Sequence, residues 1–220
     1  MIGPQRSPIG LAAMSLYGRL FAALYDRMLA GTERAGLSER RSELLSQALG
    51  RVLEIGAGTG LNLAHYPAAV EELVLAEPEE PMARRLEARL ASLGRAAQVV
   101  RAPAEALPFE DERFDTVVCT LVLCTVEDPE RALAEIDRVL RPGGRLLFLE
   151  HVRSEDPRVA RWQDRVHGIW LRCGHGCNCN RPTPALIERS PLEIEAIERG
   201  ELPKSPPIVR PLVSGRAVAA

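Results

Sequence analysis

The chain has 220 residues, 28 basic and 30 acidic, for a formal net charge of -2. That balance removes the electrostatic case for a nucleic-acid partner, and the basic side chains, all Arg except Lys204, are scattered rather than gathered into a patch. Five cysteines, an odd and uneven set, make no disulfide scaffold and suit a reducing, cytoplasmic compartment; no apolar run is long enough to span a bilayer, and Arg19 and Asp26 soon break the one beginning at Ile9.

A chain of this length suits one α/β domain, 1–220, with N-terminal helices over 1–50, a ligand-binding core over 51–152 and a C-terminal helix, loop and edge strands over 153–220. Gly3, Pro4 and Pro8 predict a loose tail over Met1–Ser7. From Gly10 to Ala30, residues Leu11, Met14, Leu16, Leu20, Phe21, Leu24 and Leu29 recur at helical spacing, predicting an amphipathic helix that covers the core. Ser38 opens a second helix through Leu44, Leu45 and Ala48, and Gly50 stops it.

The next stretch, Arg51–Gly60, organises the rest. Val52, Leu53 and Ile55 make a short buried strand, and Gly56, Gly58 and Gly60 then replace side chains with bare backbone, as a chain needs where a ligand lies against its amides. The turn is expected to feed a helix over Leu61–His65 and so present unpaired N–H groups. A dinucleotide fingerprint places its third Gly where this chain has Leu61, which counts against NAD. Leu73–Ala76 reads as the second strand and ends in Glu77, about twenty residues past Gly56, where a carboxylate can take two ribose hydroxyls. A tight turn beside a solvated Glu is the plain alternative.

Pro81–Leu93 reads as a helix with Pro in its first turn and Gly94 past its end, and Gln98–Val100 as a third strand. Phe114–Cys119 and its exit Thr120–Cys124 are continuously apolar, as a doubly covered strand requires, and ligands bind at the carboxyl ends of such strands. Asp128–Leu140 is a helix, Pro142–Gly144 a turn, and Arg145–Glu150 a fifth strand. This alternation predicts a doubly wound, seven-stranded, mostly parallel sheet with an antiparallel edge strand. Beyond it follow a helix over Arg158–Leu171, a loop over Cys173–Pro184, a short helix over Ala185–Arg189, and strands over Leu192–Ile197 and Ile208–Val218.

LEIGAGTG followed by Glu77, AEALPF (Ala104–Phe109), FDTVVCTLVLC (Phe114–Cys124) and RVLRPGGRLLFLEHV (Arg138–Val152) together resemble the class I S-adenosylmethionine-dependent methyltransferases. Within that class the central motifs resemble the quinone-type C-methyltransferases. CTLVLC, the Gly176-Cys177-Asn178 run before Arg181 and Thr183, and Ile208–Pro211 resemble the methyltransferase-like thiol methyltransferases.

The resemblance implies S-adenosyl-L-methionine as cofactor and a binding set in four groups. These are Glu54, Gly56, Ala57, Gly58, Thr59, Gly60 and Asn62 around the loop, and Glu77, Pro78 and Met82 after the second strand. Ala104, Glu105 and Ala106 follow the third, with Thr120, Leu121 and Cys124 at the exit of the fourth. Where the family carries an acid for the adenine amino group this chain has Pro103, leaving Glu105 or the backbone at Ala104 to serve.

The implied partner is a small, hydrophobic methyl acceptor, a thiol first, with a lipid amine or a quinol-type carbon as the other candidates. Trp162, Ile169 and Trp170 suggest a lid over such an acceptor, and a core-facing helix explains them equally well; N-terminal helices of the class I fold close over the cofactor, so the resemblance also lets Tyr17, Tyr25 and Asp26 face its pocket. The thiol-methyltransferase relatives carry a membrane-anchoring N-terminus, so the first helix is a candidate for peripheral membrane contact. A NAD-dependent oxidoreductase and a catalytically silent module that keeps the cofactor pocket are the alternative functions.

His151, just past the fifth strand, is the candidate general base, against the plainer reading of a hydrogen-bonded strand-end His. Cys119 and Cys124 read as small buried hydrophobes. Cys173, His175, Cys177 and Cys179 crowd one short loop; zinc sites draw paired ligands from two places, so no metal is expected there.

Overall fold

The computed structural model describes the backbone of residues 8–220 and the side chains from residue 18 onward. The tail over Met1–Ser7 and the side chain of Tyr17 lie outside the described residues.

The elements in chain order are α1 (Pro8–Thr32), a π-helical turn (Glu33–Leu37), α2 (Ser38–Leu45), β1 (Gly50–Ile55), β2 (Val70–Ala76), α3 (Glu80–Leu93), β3 (Gln98–Val100) and β4 (Phe114–Thr120). There follow α4 (Pro129–Val139), β5 (Leu140–His151), α5 (Pro157–Cys173), α6 (Thr183–Glu188), β6 (Glu193–Glu201), a 3-10 turn (Pro207–Val209) and β7 (Pro211–Val218). One seven-stranded sheet runs β3-β2-β1-β4-β5-β7-β6. The first five strands are mutually parallel, and β7 runs antiparallel to β5 and β6 on either side of it.

The middle of the sheet is apolar because helices cover both faces. Every residue of β4 is buried, and Phe114 and Phe148 are among the largest fully buried side chains. One core cluster joins β4 and β5 to α4 through Leu133 and Ile136, and a second joins β1 and β2 to α2 and α3 through Leu44, Leu45 and Leu86. Asp128 caps α4 by accepting from Arg131 N at 3.0 Å, with Pro129 supplying its first turn. Gly94 ends α3 in the left-handed conformation at φ 59°.

Three expectations are corrected. Leu61–His65 is not a helix but a pair of turns, closed by Leu63 N to Gly60 O and His65 N to Asn62 O. Pro67 ends the segment too soon for a helix, and the buried side chains of Asn62 and Tyr66 tie it to β1 instead. Pro142–Gly144 does not leave the sheet: β5 holds it as a bulge, the register stepping from Phe114 opposite Leu140 to Thr116 opposite Arg145. The last two strands are shifted, β6 reaching Glu201 and β7 beginning only at Pro211, because Pro206 and Pro207 give a 3-10 turn where pairing was expected.

Candidate active site

Gly56, Gly58 and Gly60 all have positive φ, at 62°, 57° and 84°. A Cβ on Gly56 would meet Val122 at 2.5 Å, and one on Gly60 would meet Leu86 at 2.7 Å and Leu63 at 2.8 Å. These two glycines let the loop pack against its neighbours. At Gly58 the nearest such atom is the carbonyl of Gly56 at 3.9 Å. The loop is therefore open at its middle glycine, where a bound group can approach the backbone.

Glu77 faces that opening from the end of β2. Its Oε2 accepts from Gly58 N at 2.8 Å and its Oε1 from Glu79 N at 2.9 Å. Each oxygen keeps a further lone pair for a hydroxyl. Burial pushes the carboxyl up, while the two amides pull it back.

Beneath the loop lies a buried polar network. Glu54, on β1, accepts from Asn62 Nδ2 at 2.9 Å and from Tyr66 Oη at 2.7 Å. Asn62 also donates to Thr120 Oγ1, and Arg41 of α2 donates to Asn62 Oδ1 and to Thr120 Oγ1 at 2.9 and 3.1 Å. Arg41 Nε completes an ion pair with Glu33 at 3.0 Å. Burial pushes the Glu54 carboxyl up to about 7, against the hydrogen bonds from Tyr66 and Asn62 and the charge of Arg41. A small pocket opens here, lined by Tyr25, Arg41, Glu54, Gly56–Thr59, Leu61, Asn62 and Thr120. Burial pushes the Tyr25 hydroxyl up to about 12.

Arg41 joins the site without any signal in the sequence. Nothing local distinguishes an Arg on α2 that turns inward.

Helix α1 is fastened over the loop. Thr59 Oγ1 donates to Asp26 at 2.5 Å, Arg89 of α3 holds the other Asp26 oxygen, and Phe21 stacks on His175 with centroids 4.2 Å apart. His175 in turn meets Glu79 at 2.5 Å. The expectation that Tyr25 and Asp26 face the site corresponds to where the structure puts them.

At the exit of β4 the backbone is strained: Leu121 has φ 59°, and its N–H reaches Leu149 O. Glu150, fully buried, accepts from the amides of Val122 and Leu123 through Oε1 and Cys124 through Oε2. Arg181 donates to the carbonyls of Leu123 and Val126. The exit loop is thus clamped from both sides.

The remaining predicted residues are less concentrated. Met82 and Ala104 are buried, while Pro78 and Ala106 are exposed. Glu105 accepts from the amides of Glu127 and Asp128 at 2.8 and 3.3 Å, so its Oε1 steadies the turn before α4. Of the apolar residues expected to roof an acceptor, only Trp170 turns inward, beside Cys177. Trp162 and Ile169 are 46% and 70% exposed, because α5 buries its Ala160 and Gln163 face instead.

The cysteine loop disperses. Cys173 is exposed, Cys179 is buried against Gln163, and His175 belongs to the α1 contact. Cys177 joins different residues: its Sγ lies 2.9 Å from His151 Nε2 and 3.0 Å from Trp170 Nε1, with Cys124 beside it. Cys124, which read as a small hydrophobe, is part of this polar cluster. Hydrogen bonds from Cys124, His151 and Trp170 pull the Cys177 thiol well down despite its burial. Burial alone would lower His151, but the contact with Cys177 outweighs it and raises the ring.

Residues 53–148 match the family model described as "Methyltransferase domain". Human thiol S-methyltransferase TMT1A is 32% identical over 203 residues, covering 90% of this chain and 82% of that protein. The ubiquinone/menaquinone biosynthesis C-methyltransferase UbiE of Marinomonas sp. is 34% identical, covering 64% of this chain and 58% of that one. A Thermotoga maritima S-adenosylmethionine-dependent methyltransferase, titled a possible histamine N-methyltransferase, superposes with a TM-score of 0.69 at 23% identity, over 92% of this chain and 97% of that one. Gly58 and the acid that follows β2 meet in the structure, and the NAD-dependent alternative falls with the match to methyltransferases. The chain belongs to the class I methyltransferases, and its methyl donor is S-adenosylmethionine.

Proposed function

We propose that the protein transfers the donor's methyl group to the sulfur of a small, apolar thiol. What supports the thiol is the reach of the match to the human thiol S-methyltransferase. At 90% of this chain it must extend well into residues 153–220, the acceptor side, whereas the match to the C-methyltransferase covers 64%.

When bound, the cofactor supplies a methyl group on positively charged sulfur, a leaving group that departs neutral. The chain's own residues have three tasks. Gly58 and its neighbours offer bare backbone to the amino-acid end, with Arg41 and Tyr25 at the wall of that pocket. Glu77 takes the ribose hydroxyls with the lone pairs its two amides leave unused. The clamped segment Leu121–Cys124 would wall the sulfonium side of the donor and keep it in one orientation for the acceptor.

Bond-making and bond-breaking balance simply: the acceptor's sulfur–carbon bond forms as the donor's breaks, and the thiol proton goes to solvent. A free thiol is already partly ionised near neutral pH and is a strong nucleophile. Alignment in a dry cleft then does most of the catalysis.

The test is transfer of a radiolabelled methyl group, compared across small alkyl and aryl thiols, quinols and phosphatidylethanolamine. Thiols should label fastest. Faster labelling of a quinol carbon or of the lipid amine would overturn the reading while leaving the methyltransferase family untouched.

A further inference from the structure

Cys124, His151 and Cys177 come from three separate places: the exit of β4, the last residue of β5 and the loop between α5 and α6. One ligand atom from each lies within 4.8 Å of the other two, and all three residues are buried. It is the one such group among the described residues. The loop cysteines alone lacked a second source of ligands; the fold supplies two.

We propose that these three side chains form a binding site for a soft, closed-shell cation, zinc(II) in the first instance. This does not rest on the choice of acceptor. Two sulfurs and one imidazole nitrogen are the donor set that zinc prefers over magnesium or calcium. In a tetrahedral zinc site ligand atoms stand about 3.5–3.8 Å apart, so closing from 4.8 Å, or opening from the 2.9 Å between His151 and Cys177, needs movements of about 1 Å or less.

Two further observations support a cation. The His151 ring is 6% exposed and turns Nε2 toward Cys177 Sγ at 2.9 Å, so a buried imidazole nitrogen is presented to the sulfurs. The frame is also built in advance, as ligands of a metal site require. Glu150 holds the Cys124 amide, and the Cys124 carbonyl accepts from both the backbone N and the side-chain Nδ2 of Asn178, the neighbour of Cys177. Trp170 points its N–H at Cys177 Sγ, a supporting contact that a bound thiolate would keep.

Charge also fits. Two thiolates neutralise a divalent cation. Three protein ligands leave one position of the tetrahedron for an exogenous donor. A cation here would join the acceptor-side loop to the ends of β4 and β5, and His151 would serve as a ligand rather than a base.

The test uses the full chain, purified reduced and without chelator, with metal measured by elemental analysis. One equivalent of zinc is expected in the native protein and in the Cys173→Ala variant, with a loss of tenfold or more in Cys177→Ser and in Cys124→Ala. Cobalt(II) added to the metal-stripped chain should give a thiolate-to-cobalt charge-transfer band and intense tetrahedral visible bands, both abolished by Cys177→Ser. Far-ultraviolet circular dichroism and a cooperative denaturant transition confirm that each variant is folded. Substoichiometric zinc with only weak, octahedral cobalt bands, zinc retained in folded Cys177→Ser, or a Cys124–Cys177 disulfide in the protein as isolated would each overturn the proposal. None of these results would bear on whether thiols are methylated.

Discussion

Two buried polar clusters flank the exit of β4, one reached through Thr120 and the other through Cys124. The first is made of oxygen and nitrogen, Glu54, Arg41, Asn62, Thr120 and Tyr66, each held by at least one bond to another member. The second is made of sulfur and imidazole, and one buried ring nitrogen in it has no partner. A network that is complete within the protein stiffens the glycine loop before any ligand arrives. A buried ring nitrogen without a partner costs free energy, so the second cluster is held less completely than the first.

The sharpest way to break that comparison is Arg41→Ala. Arg41 is 3% exposed and serves Glu33, Asn62 and Thr120 together. Truncation leaves a nearly buried carboxylate and two polar side chains short of a partner, which costs about 3–5 kcal/mol. Denaturant unfolding should show a lower midpoint with an unchanged slope. A loss below about 1 kcal/mol would mean that water replaces the guanidinium, and that the network is not the rigid base assumed here.

Glu54 gives a second, pH-resolved test. Its carboxyl titrates near 7 in the folded chain against an ordinary value of 4.5. Between those values the folded state holds a proton that the unfolded chain has released, so this group's stabilising share is complete below pH 4.5 and is lost as pH rises through 7. The loss amounts to about 3 kcal/mol. Glu54→Gln should remove that slope, and the difference between variant and parent should change with pH only inside this window. A difference that stays constant from pH 4.5 to 7.5 would place the titration elsewhere.

The same contrast explains how much was legible in the sequence. The alternation of apolar strands with capped helices is local, so five parallel strands and their order of appearance could be read directly. The approach of the glycine loop to Glu77, through Gly58 N, was legible because a strand-end turn and the acid one strand over share one end of a parallel sheet. Arg41 was not, since its inward turn depends on α2 packing over β1 and on Thr120 far along the chain. The helix expected over Leu61–His65 failed because Asn62 and Tyr66 are pulled onto Glu54, a tertiary demand that overrides local preference. Cys177 looked like one member of a loop motif. Its neighbours in space, Cys124 and His151, become neighbours only when β4 and β5 pair and α5 folds back beside them.

The smallest effect concerns the bond between Trp170 and Cys177. Trp170 Nε1 lies 3.0 Å from the sulfur, so Trp170→Phe removes one donor from the cluster while keeping an aromatic ring against Val166 and Ile208. Some of the resulting loss will be packing area, because Phe is smaller than Trp. A double-mutant cycle with Cys177→Ala separates the two, since the area lost is common to both backgrounds and cancels. A single hydrogen bond to a partly charged sulfur should leave a coupling of about 1 kcal/mol in unfolding free energy. If the coupling is near zero, Trp170 is only a wall, and Cys177 owes its depressed titration to Cys124 and His151 alone. If it exceeds about 2 kcal/mol, the sulfur is a full thiolate in the protein as it stands, and the two clusters differ less in completeness than their hydrogen bonds suggest.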